Sequence, residues 1–440
     1  MRDVKIFPAE TGVSGWLETS SYKNHQFNQT EEILDQYDYV VIGAGYGGFA
    51  AACRLGELNP GCTVAVFEAI RIGANDSGKN AGFLIDVPHA FGSGDFSHED
   101  KVWGVKMYVA ALDKMRKIIK DNNLPVDWDE AGKYLASYEP KTYKHLDDDA
   151  KELDLMGIPY KFYEGEELHK KLGTSYYKKA IFNPGTVLVN PADVLRGLFT
   201  TLPKNVHVFE NTPAARLEDG VKPSVTLRNG RQVKAKAIIA AAGPFLQELG
   251  LCKKNTFCPI ISFGAHTRVL TDSEMEHFKD VAPWGVTAGH TAGTSVRFTR
   301  DKRLFVRNGL KYATFYTSSP ERIRFAQRLL RKAFNNRFPN HKHVNFEYVY
   351  GGMIQLTMNS RSLFGRSGNI YYAGVGEGAG VCKSFTMGTY LAEWVNDMKS
   401  DILNFLQKDI KPSWIPPEPF TTVGAELRLV YETLTAAGEI

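Results

Sequence analysis

The strongest constraint on how this chain can fold is a strand–glycine–helix–strand pattern within residues 37–68. An apolar, β-branched run, Tyr39 to Ile42, predicts a buried parallel strand, and residues 63–67 predict a second one. The small residues from Phe49 to Leu58 predict a helix between them. Three glycines stand between the first strand and the helix with the spacing G-x-G-x-x-G: Gly43, Gly45 and Gly48. This order of elements predicts a Rossmann-like unit that binds a dinucleotide.

Each part of this pattern has a physical role in holding a dinucleotide. We expect Gly43 to permit the tight turn, Gly45 to let the backbone approach a pyrophosphate, and Gly48 to let helix and strand pack closely. The free N–H groups at the helix N-terminus would face that pyrophosphate. Glu68 ends the second strand and can accept hydrogen bonds from both ribose hydroxyls. An acid at this position argues against the 2′-phosphate of NADP, whereas FAD and NAD both stay open.

Composition excludes several classes of function. The 440 residues are enough for two domains, and the net charge of +4, with its basic residues dispersed, argues against nucleic-acid binding. The five cysteines lack metal-ligand spacing, so we expect no metal site and a reducing compartment. No apolar run reaches membrane-spanning length, and the first 30 residues do not resemble a signal peptide. We therefore expect a cytoplasmic protein without a membrane partner.

The order of elements predicts a mixed fold, α/β and α+β, with two domains. A discontinuous Rossmann-like domain is followed by a second domain built on a mixed, mainly antiparallel β-sheet. Residues 145–172 are strongly charged and predict a solvated helical face. The predicted segments are an N-terminal arm (1–36) anchored by Trp16, the nucleotide-binding domain (37–95, 180–250 and 350–400), the substrate domain (96–179 and 251–349) and a pinned C-terminal extension (401–440).

Two further glycine-rich segments are candidates for ligand contacts. Residues 73–82 follow Glu68 closely, and their backbone donors suit a phosphate and a ring system. The strand that starts at Asn369 runs into the glycines of residues 374–380 and then into a helix, which makes a second unit able to point N–H groups at a ligand. An NAD domain has no role for this late unit, which favours FAD.

With these segments in place, the chain resembles the FAD-dependent amine and amino-acid oxidoreductases of the D-amino-acid oxidase (DAO) superfamily. It most resembles the branch that holds gamma-glutamylputrescine oxidase, with glycine and sarcosine oxidases as more distant relatives. The resemblance covers nearly the whole chain. It rests on motifs at residues 41–48, 73–82, 185–192, 238–243, 297–305, 351–357 and 374–380.

The resemblance implies a noncovalent FAD and assigns the residues that hold it. Sarcosine-type relatives attach FAD to a cysteine at the position that is Ile354 here, so no covalent link is expected. The last motif also departs from the family, because Glu377 stands in a loop that usually contains Gly-His-Gly. The cofactor contacts that the motifs and the resemblance imply are Gly43, Gly45, Gly48, Glu68, Ala69, Ser77, Lys79, Asn80, Ala81, Gly82, Ala214, Ala242, Gly243, Gly374, Gly378, Ala379 and Gly380.

The reaction that the resemblance implies is oxidative deamination of a small primary or secondary amine. Hydride would pass to flavin N5, water would hydrolyse the imine, and oxygen would reoxidise the cofactor with release of hydrogen peroxide. Glu377 is the candidate for the substrate ammonium, and Arg297 and Lys383, with Lys79, are candidates for an acidic group. Two alternatives stay open: a dehydrogenase with another acceptor, and a flavin-binding accessory subunit. The sequence leaves the oligomeric state open.

Overall fold

The computed structural model of the protein describes residues 3–27, 32–88, 96–314 and 316–440. Within that part the helices, in chain order, are α1 (Gly15–Glu18), α2 (Tyr46–Leu58), α3 (Asp76–Lys79), α4 (His98–Asp121), α5 (Tyr143–Leu155), α6 (Gly165–Leu172), α7 (Pro191–Phe199), α8 (Asp272–Met275), α9 (Pro320–Arg337), α10 (Val381–Val395), α11 (Asp401–Lys408) and α12 (Phe420–Ala436). None of these helices is both long and apolar enough to cross a membrane.

The strands of the same ranges group into four sheets. In chain order they are β1 (Tyr39–Ile42), β2 (Val64–Phe67), β3 (Phe83–Leu84), β4 (Trp128–Asp129), β5 (Lys133–Ser137), β6 (Lys161–Glu164), β7 (Lys179–Asn183), β8 (Val187–Val189), β9 (Val206–Phe209), β10 (Ala214–Glu218), β11 (Ser224–Leu227), β12 (Gln232–Lys234), β13 (Ala237–Ala240), β14 (Cys258–Thr267), β15 (Trp284–Ala288), β16 (Ser295–Phe298), β17 (Leu304–Tyr312), β18 (Phe346–Leu356), β19 (Leu363–Ser367) and β20 (Ile370–Gly374).

A six-stranded sheet contains the predicted Rossmann-like unit. Its strand order is β19–β20–β13–β1–β2–β9, and all pairs except the edge pair β19–β20 are parallel. The strands β2 and β13 are buried along their whole length, as strands covered on both faces are. The predicted strand at residues 39–42 and the return of the sheet near residue 238 are confirmed. The carboxyl ends of the parallel strands meet at one edge, where open α/β sheets bind their ligands.

Close helix packing explains two of the glycines beside this edge. A Cβ on Gly48 would lie 1.8 Å from the carbonyl oxygen of Gly43, and a Cβ on Gly388 would lie 2.0 Å from that of Gly47. The first contact is the helix–strand approach expected of Gly48, and the second lets α10 cross α2. The first turn of α2 therefore packs directly against the middle of α10.

The second large sheet is mainly antiparallel, as predicted. Its order is β18–β14–β17–β16–β15–β5–β7–β6, with β15–β5 as a parallel pair. One face, with Phe263, Val296 and Val306, packs against α9. Register places Arg297 and His266 opposite Phe305 on the other face, where Phe305 and His266 contact Trp16 of the N-terminal arm. The predicted anchoring role of Trp16, which is 2 % exposed, is confirmed.

Two segments differ from the sequence prediction. Residues 145–172 are not continuously helical, because α5 ends before Gly157, whose φ is +65°, and β6 then pairs with β7 before α6 begins. The C-terminal extension contains the 17-residue helix α12, which its prolines concealed in the sequence. The extension is pinned as predicted, since the Glu439 carboxylate accepts hydrogen bonds from the Ser137 hydroxyl (2.9 Å) and the His290 N–H (2.8 Å).

Candidate active site

A cleft opens at the carboxyl edge of the six-stranded sheet. Its empty volume, together with the open space at its mouth, is ≈ 1040 Å³. The predicted cofactor contacts that line it are Gly43, Gly45, Glu68, Ala69, Ser77, Ala214, Ala242, Gly243 and Gly374. The strand ends and the loops after them therefore meet around one space, as the sequence motifs indicated.

The glycine turn after β1 leaves room that side chains would fill. Gly43 has a φ of +94°, and a Cβ there would lie 2.7 Å from the carbonyl oxygen of Ala241. Gly45 is the N-cap of α2 without a side-chain cap, and a Cβ on it would lie 2.5 Å from Ser77 Oγ. The N-cap residue therefore offers no side-chain acceptor to the first N–H groups of α2, which makes this helix end suited to an anion.

Glu68 presents a half-buried carboxylate to the cleft. Its Oε2 accepts a hydrogen bond from the Ala44 N–H (2.6 Å) and its Oε1 accepts one from the Ile70 N–H (3.2 Å). Burial raises the pKa of Glu68, and these backbone N–H groups oppose the shift. Each oxygen keeps acceptor capacity for a ribose hydroxyl.

These features fit the FAD that the sequence motifs imply. The glycine turn and the N-terminus of α2 lie at one part of the cleft, where a pyrophosphate would bind. Glu68, at the end of β2, lines the same cleft, where the adjoining ribose would bind. The amide oxygen Oε1 of Gln355 is also buried in this cleft without a hydrogen-bond partner among the described residues. A buried acceptor without a partner is the kind of atom that a bound ligand satisfies.

Asp76 is a cleft residue that the sequence reasoning missed. Its Oδ1 accepts a hydrogen bond from the Met353 N–H (3.0 Å), which joins α3 to β18. Burial raises the pKa of the Asp76 carboxyl to about 7, although Met353 and Lys79 oppose the shift. The surrounding loop is rich in small polar residues, so the sequence carried no sign that this acid would be desolvated.

Asp76→Asn should change how stability depends on pH. The pKa of Asp76 is higher in the folded protein than in the unfolded chain, so the folded protein holds this proton more tightly. Its stabilising effect is complete below the unfolded pKa of about 4 and is lost as pH rises through 7, because the unfolded chain releases the proton first. We expect the Asn variant of the apoprotein to gain about 2–4 kcal/mol over the wild type between pH 4 and pH 8. The Asp76 side chain keeps a partial opening to the cleft, which favours the lower figure.

Urea denaturation of both apoproteins across this pH range measures the effect. Asp113→Asn on α4, whose carboxylate is 64 % exposed, is the control and should show no such trend. A constant difference between wild type and Asp76→Asn at every pH would show that Asp76 titrates like a solvated acid.

The N-terminal arm closes one side of the cleft, which the sequence reasoning did not anticipate. The apolar residues Val4, Ile6, Phe7 and Pro8 line the space. The Val4 N–H donates a hydrogen bond to the carbonyl oxygen of Ala215 (2.8 Å), so the arm runs beside β10. The only sequence signal was this short apolar group within a polar arm.

The loop predicted to lie along the flavin is braced by its own side chains. Asn80 Nδ2 donates to the carbonyl oxygen of Ser77 (2.8 Å), and its Oδ1 accepts from the Gly82 N–H (2.9 Å). Lys79 points away from the cleft and its Nζ donates to the carbonyl oxygens of Thr11 (3.5 Å) and Gly12 (3.4 Å). Burial lowers the pKa of Lys79 to about 8. The expected cation of this loop therefore holds the N-terminal arm.

Arg297 likewise contacts backbone. Its Nη1 donates to the carbonyl oxygens of Gly82 (3.1 Å) and Val189, and its guanidinium carbon lies 5.0 Å from the Trp16 ring centroid. Burial lowers the pKa of Arg297 to about 10, while the carboxylate of Asp127 opposes the shift. The structure thus places Arg297 at the end of this loop, where it holds Gly82 to Val189 of β8.

Glu377 and Lys383 form one buried cluster with Tyr108 of α4. Glu377 Oε1 lies 3.0 Å from Lys383 Nζ and accepts a hydrogen bond from the Tyr108 hydroxyl (3.0 Å). The Glu377 and Lys383 side chains are only 4 % and 9 % exposed. Glu377 Oε2 is also buried but has no hydrogen-bond partner among the described residues. This oxygen is a charged acceptor still able to bind an N–H group.

The remaining predicted cofactor contacts do not line the cleft in the part of the chain that the structure describes. Their roles toward FAD remain predictions, although the structure gives several of them other contacts. Gly380 is the N-cap residue of α10, and the carbonyl oxygen of Ala379 accepts a hydrogen bond from the Tyr108 hydroxyl (3.2 Å). The full set is Gly48, Lys79, Asn80, Ala81, Gly82, Gly378, Ala379 and Gly380.

Comparison with known proteins gives consistent results. The family DAO, described as FAD dependent oxidoreductase, matches residues 38–394. The chain is 25 % identical over 399 residues to gamma-glutamylputrescine oxidoreductase of Escherichia coli (strain K12), covering 86 % of this chain and 88 % of the relative. It is 24 % identical over 408 residues to the probable oxidoreductase OrdL of Haemophilus influenzae, covering 88 % of this chain and 89 % of that relative.

A solved structure shares the fold. Glycine oxidase from Geobacillus kaustophilus superposes with a TM-score of 0.71 at 16 % sequence identity, over 86 % of this chain and 100 % of that one. At this identity the likeness shows the fold alone.

Proposed function

This chain belongs to the DAO family of FAD dependent oxidoreductases and acts on amines or amino acids, and we propose that its substrate is a small primary or secondary amine. The observation that carries the proposal is Glu377 Oε2, a buried carboxylate oxygen without a partner among the described residues. An amine N–H would satisfy this acceptor, and the positive charge that develops on the amine nitrogen as hydride leaves would strengthen that hydrogen bond to a carboxylate. The Escherichia coli relative is named after gamma-glutamylputrescine, which is an amine, and this supports the same class of substrate.

The proposed reaction removes hydride from the carbon that carries the amine. FAD, when bound, supplies the hydride acceptor at its N5 position. Glu377 accepts the substrate N–H, and Lys383 and Tyr108 hold the carboxylate in place through its other oxygen. Loss of the hydride from the neutral amine leaves an iminium ion that keeps its N–H. Water then adds to its carbon, one proton passes to solvent and another to the nitrogen, and the C–N bond breaks to give the carbonyl product and the freed amine. An amine that binds in its neutral form needs no general base.

A narrower proposal is that the substrate also carries an acidic group. Lys79, Arg297 and Lys383 each have a partner already, so none of them is a free cation for a carboxylate. Arg307 stands two residues after Phe305 on the same sheet face as Arg297, and its guanidinium, unlike its backbone, forms no hydrogen bond or ion pair within the described ranges. Burial lowers the pKa of Arg307 to about 10. We assign to Arg307 the acidic end of any substrate that has one.

Oxygen is the proposed acceptor, with hydrogen peroxide as its product. A screen for peroxide release over amines, N-methyl amino acids and aminophosphonates tests the proposal. Turnover of at least one amine, and of no matching alcohol, is the expected result. Turnover with a dye or quinone but not with oxygen would favour the alternative, an amine dehydrogenase. Absence of turnover with any acceptor would favour an accessory flavoprotein subunit.

FAD should be held without a covalent bond. The attachment position of sarcosine-type relatives is Ile354 here, and none of the five cysteines lines the cleft among the residues that the structure describes. We expect acid precipitation of the holoenzyme to leave the flavin in the supernatant as intact FAD, identified by chromatography. Flavin that stays with the precipitated protein would contradict this prediction.

A further inference from the structure

Helix α12 lies on the protein surface and is fixed there along one face. Leu429 packs with Ile260 and Tyr312 of the large sheet, and Ala436 is fully buried. Glu426 pairs with Lys311 (3.6 Å between Oε2 and Nζ). The pinned C-terminus after the helix holds its far end. The inner face of α12 therefore packs against the rest of this chain, and the outer face points to solvent.

The outer face of α12 is apolar although it is exposed. Six large apolar side chains lie on this surface, each about half to three quarters exposed: Phe420 (68 %), Val423 (57 %), Leu427 (66 %), Val430 (49 %), Tyr431 (58 %) and Leu434 (74 %). A helix that is apolar on both faces is normally covered on both. Contiguous apolar surface of this kind marks an interaction site on soluble proteins.

The spacing of these residues indicates what covers them. Phe420, Val423, Leu427, Val430 and Leu434 follow one another at intervals of three, four, three and four residues. This is the a/d spacing of a helix–helix seam. A helix that lies on a membrane instead carries several Lys or Arg residues beside a wide apolar face, whereas Arg428 is the one basic residue in α12.

Gly424 gives a second, independent indication. It lies inside α12, where glycine costs about 0.5–1 kcal/mol relative to alanine. Nothing in the described chain lies within 4 Å of the position its Cβ would take, so packing within this chain does not require a glycine. A glycine next to an apolar seam lets the backbone of a second helix approach closely.

We propose that the outer face of α12 pairs with α12 of a second copy of this chain. Among the described helices, no other presents an exposed apolar row: Val109, Leu155 and Phe325 stand singly on α4, α5 and α9. The same patch on a second copy is therefore the complementary surface that this chain itself offers, and a twofold axis would pair it with itself. The six side chains expose on the order of 600 Å², and a stable interface buries about 600–1,000 Å² per partner.

Sedimentation velocity of the holoenzyme over a range of concentrations tests this pairing. We expect wild type to sediment as a dimer, and Leu427→Glu to raise the dimer dissociation constant about a hundredfold or more, because the new carboxylate would be buried in the seam. The matched control is Phe325→Glu on α9, where the apolar side chain is 54 % exposed, and this variant should stay dimeric. Unchanged flavin content and circular dichroism would show that Leu427→Glu is folded.

Several results would overturn the proposal. These are a monomeric wild type at all concentrations, a Leu427→Glu protein that dimerises like wild type, and equal loss of dimer in Phe325→Glu. A monomeric wild type that sediments with vesicles of neutral and anionic lipid, and loses this binding in Leu427→Glu, would assign the face to a membrane. A monomer that carries a stoichiometric foreign subunit on this face would assign it to a different protein.

Discussion

Glu377→Gln should lower kcat/KM for amine oxidation about 10–100-fold, the equivalent of losing one charge-assisted hydrogen bond of about 1.5–3 kcal/mol. The glutamine keeps an oxygen for the Tyr108 hydroxyl but removes the charge that would hold the amine. The same change leaves the Lys383 ammonium in a buried site without its 3.0 Å partner. We expect a loss of about 2–4 kcal/mol in unfolding free energy, because removing one member of a buried pair is strongly destabilising. Nearby Asp409 limits this loss.

A double variant separates the catalytic role from the structural one. Glu377→Gln with Lys383→Met removes both charges, so stability should recover toward wild type while activity stays low. Glu393→Gln is the control, because Glu393 lies on α10, as Lys383 does, and its carboxylate forms a 2.8 Å ion pair with Arg54 of α2. Urea denaturation and steady-state kinetics with the best amine of the panel give both readouts. Full activity in the double variant would show that Glu377 serves only to pair Lys383.

Glu68→Ala should weaken FAD binding about 10–100-fold, since one charge-assisted ribose contact contributes about 1.5–3 kcal/mol. The Glu68 carboxylate also accepts the N–H groups of Ala44 and Ile70, which would then open onto the cleft. The fold should change little, because burial already raises the pKa of Glu68 and its removal relieves that cost. Titration of the apoprotein with FAD, followed by the quenching of flavin fluorescence, measures the dissociation constant.

Glu68→Gln is the matched variant for this experiment. It keeps a carbonyl oxygen that can accept from the Ala44 N–H but lacks the negative charge. We expect its dissociation constant for FAD to fall between those of wild type and Glu68→Ala. Equal affinities in all three proteins after extensive dialysis would show that Glu68 does not bind the ribose.

The sequence predicted the nucleotide-binding sheet well because its signals are local. The strands β1 and β2, the turn at Gly43 and the helix α2 are specified within about one βαβ unit, and the unit of β20 and α10 repeats the pattern. Glycine positions carry the strongest signal, because a side chain at Gly48 would meet the Gly43 carbonyl oxygen. Such constraints appear directly in the residue type.

The parts that the sequence did not predict depend on contacts between distant segments. Val4 lines the cleft because it bonds to Ala215, which no local pattern reveals. Asp76 is desolvated by the approach of β18. Lys383 and Glu377 were assigned opposite ends of a substrate, yet the fold pairs them with each other. Charged side chains in glycine-rich loops choose their partners only when tertiary structure is complete.

The central claim is that this chain oxidises an amine with FAD. Anaerobic mixing of the holoenzyme with the most active amine of the panel tests it most directly, with visible flavin absorbance as the signal. We predict that the absorbance bleaches in a single turnover and returns with peroxide when air is admitted. Bleaching without peroxide would keep amine oxidation but replace oxygen with another acceptor. If no amine, amino acid or aminophosphonate bleaches the flavin, the claim is contradicted.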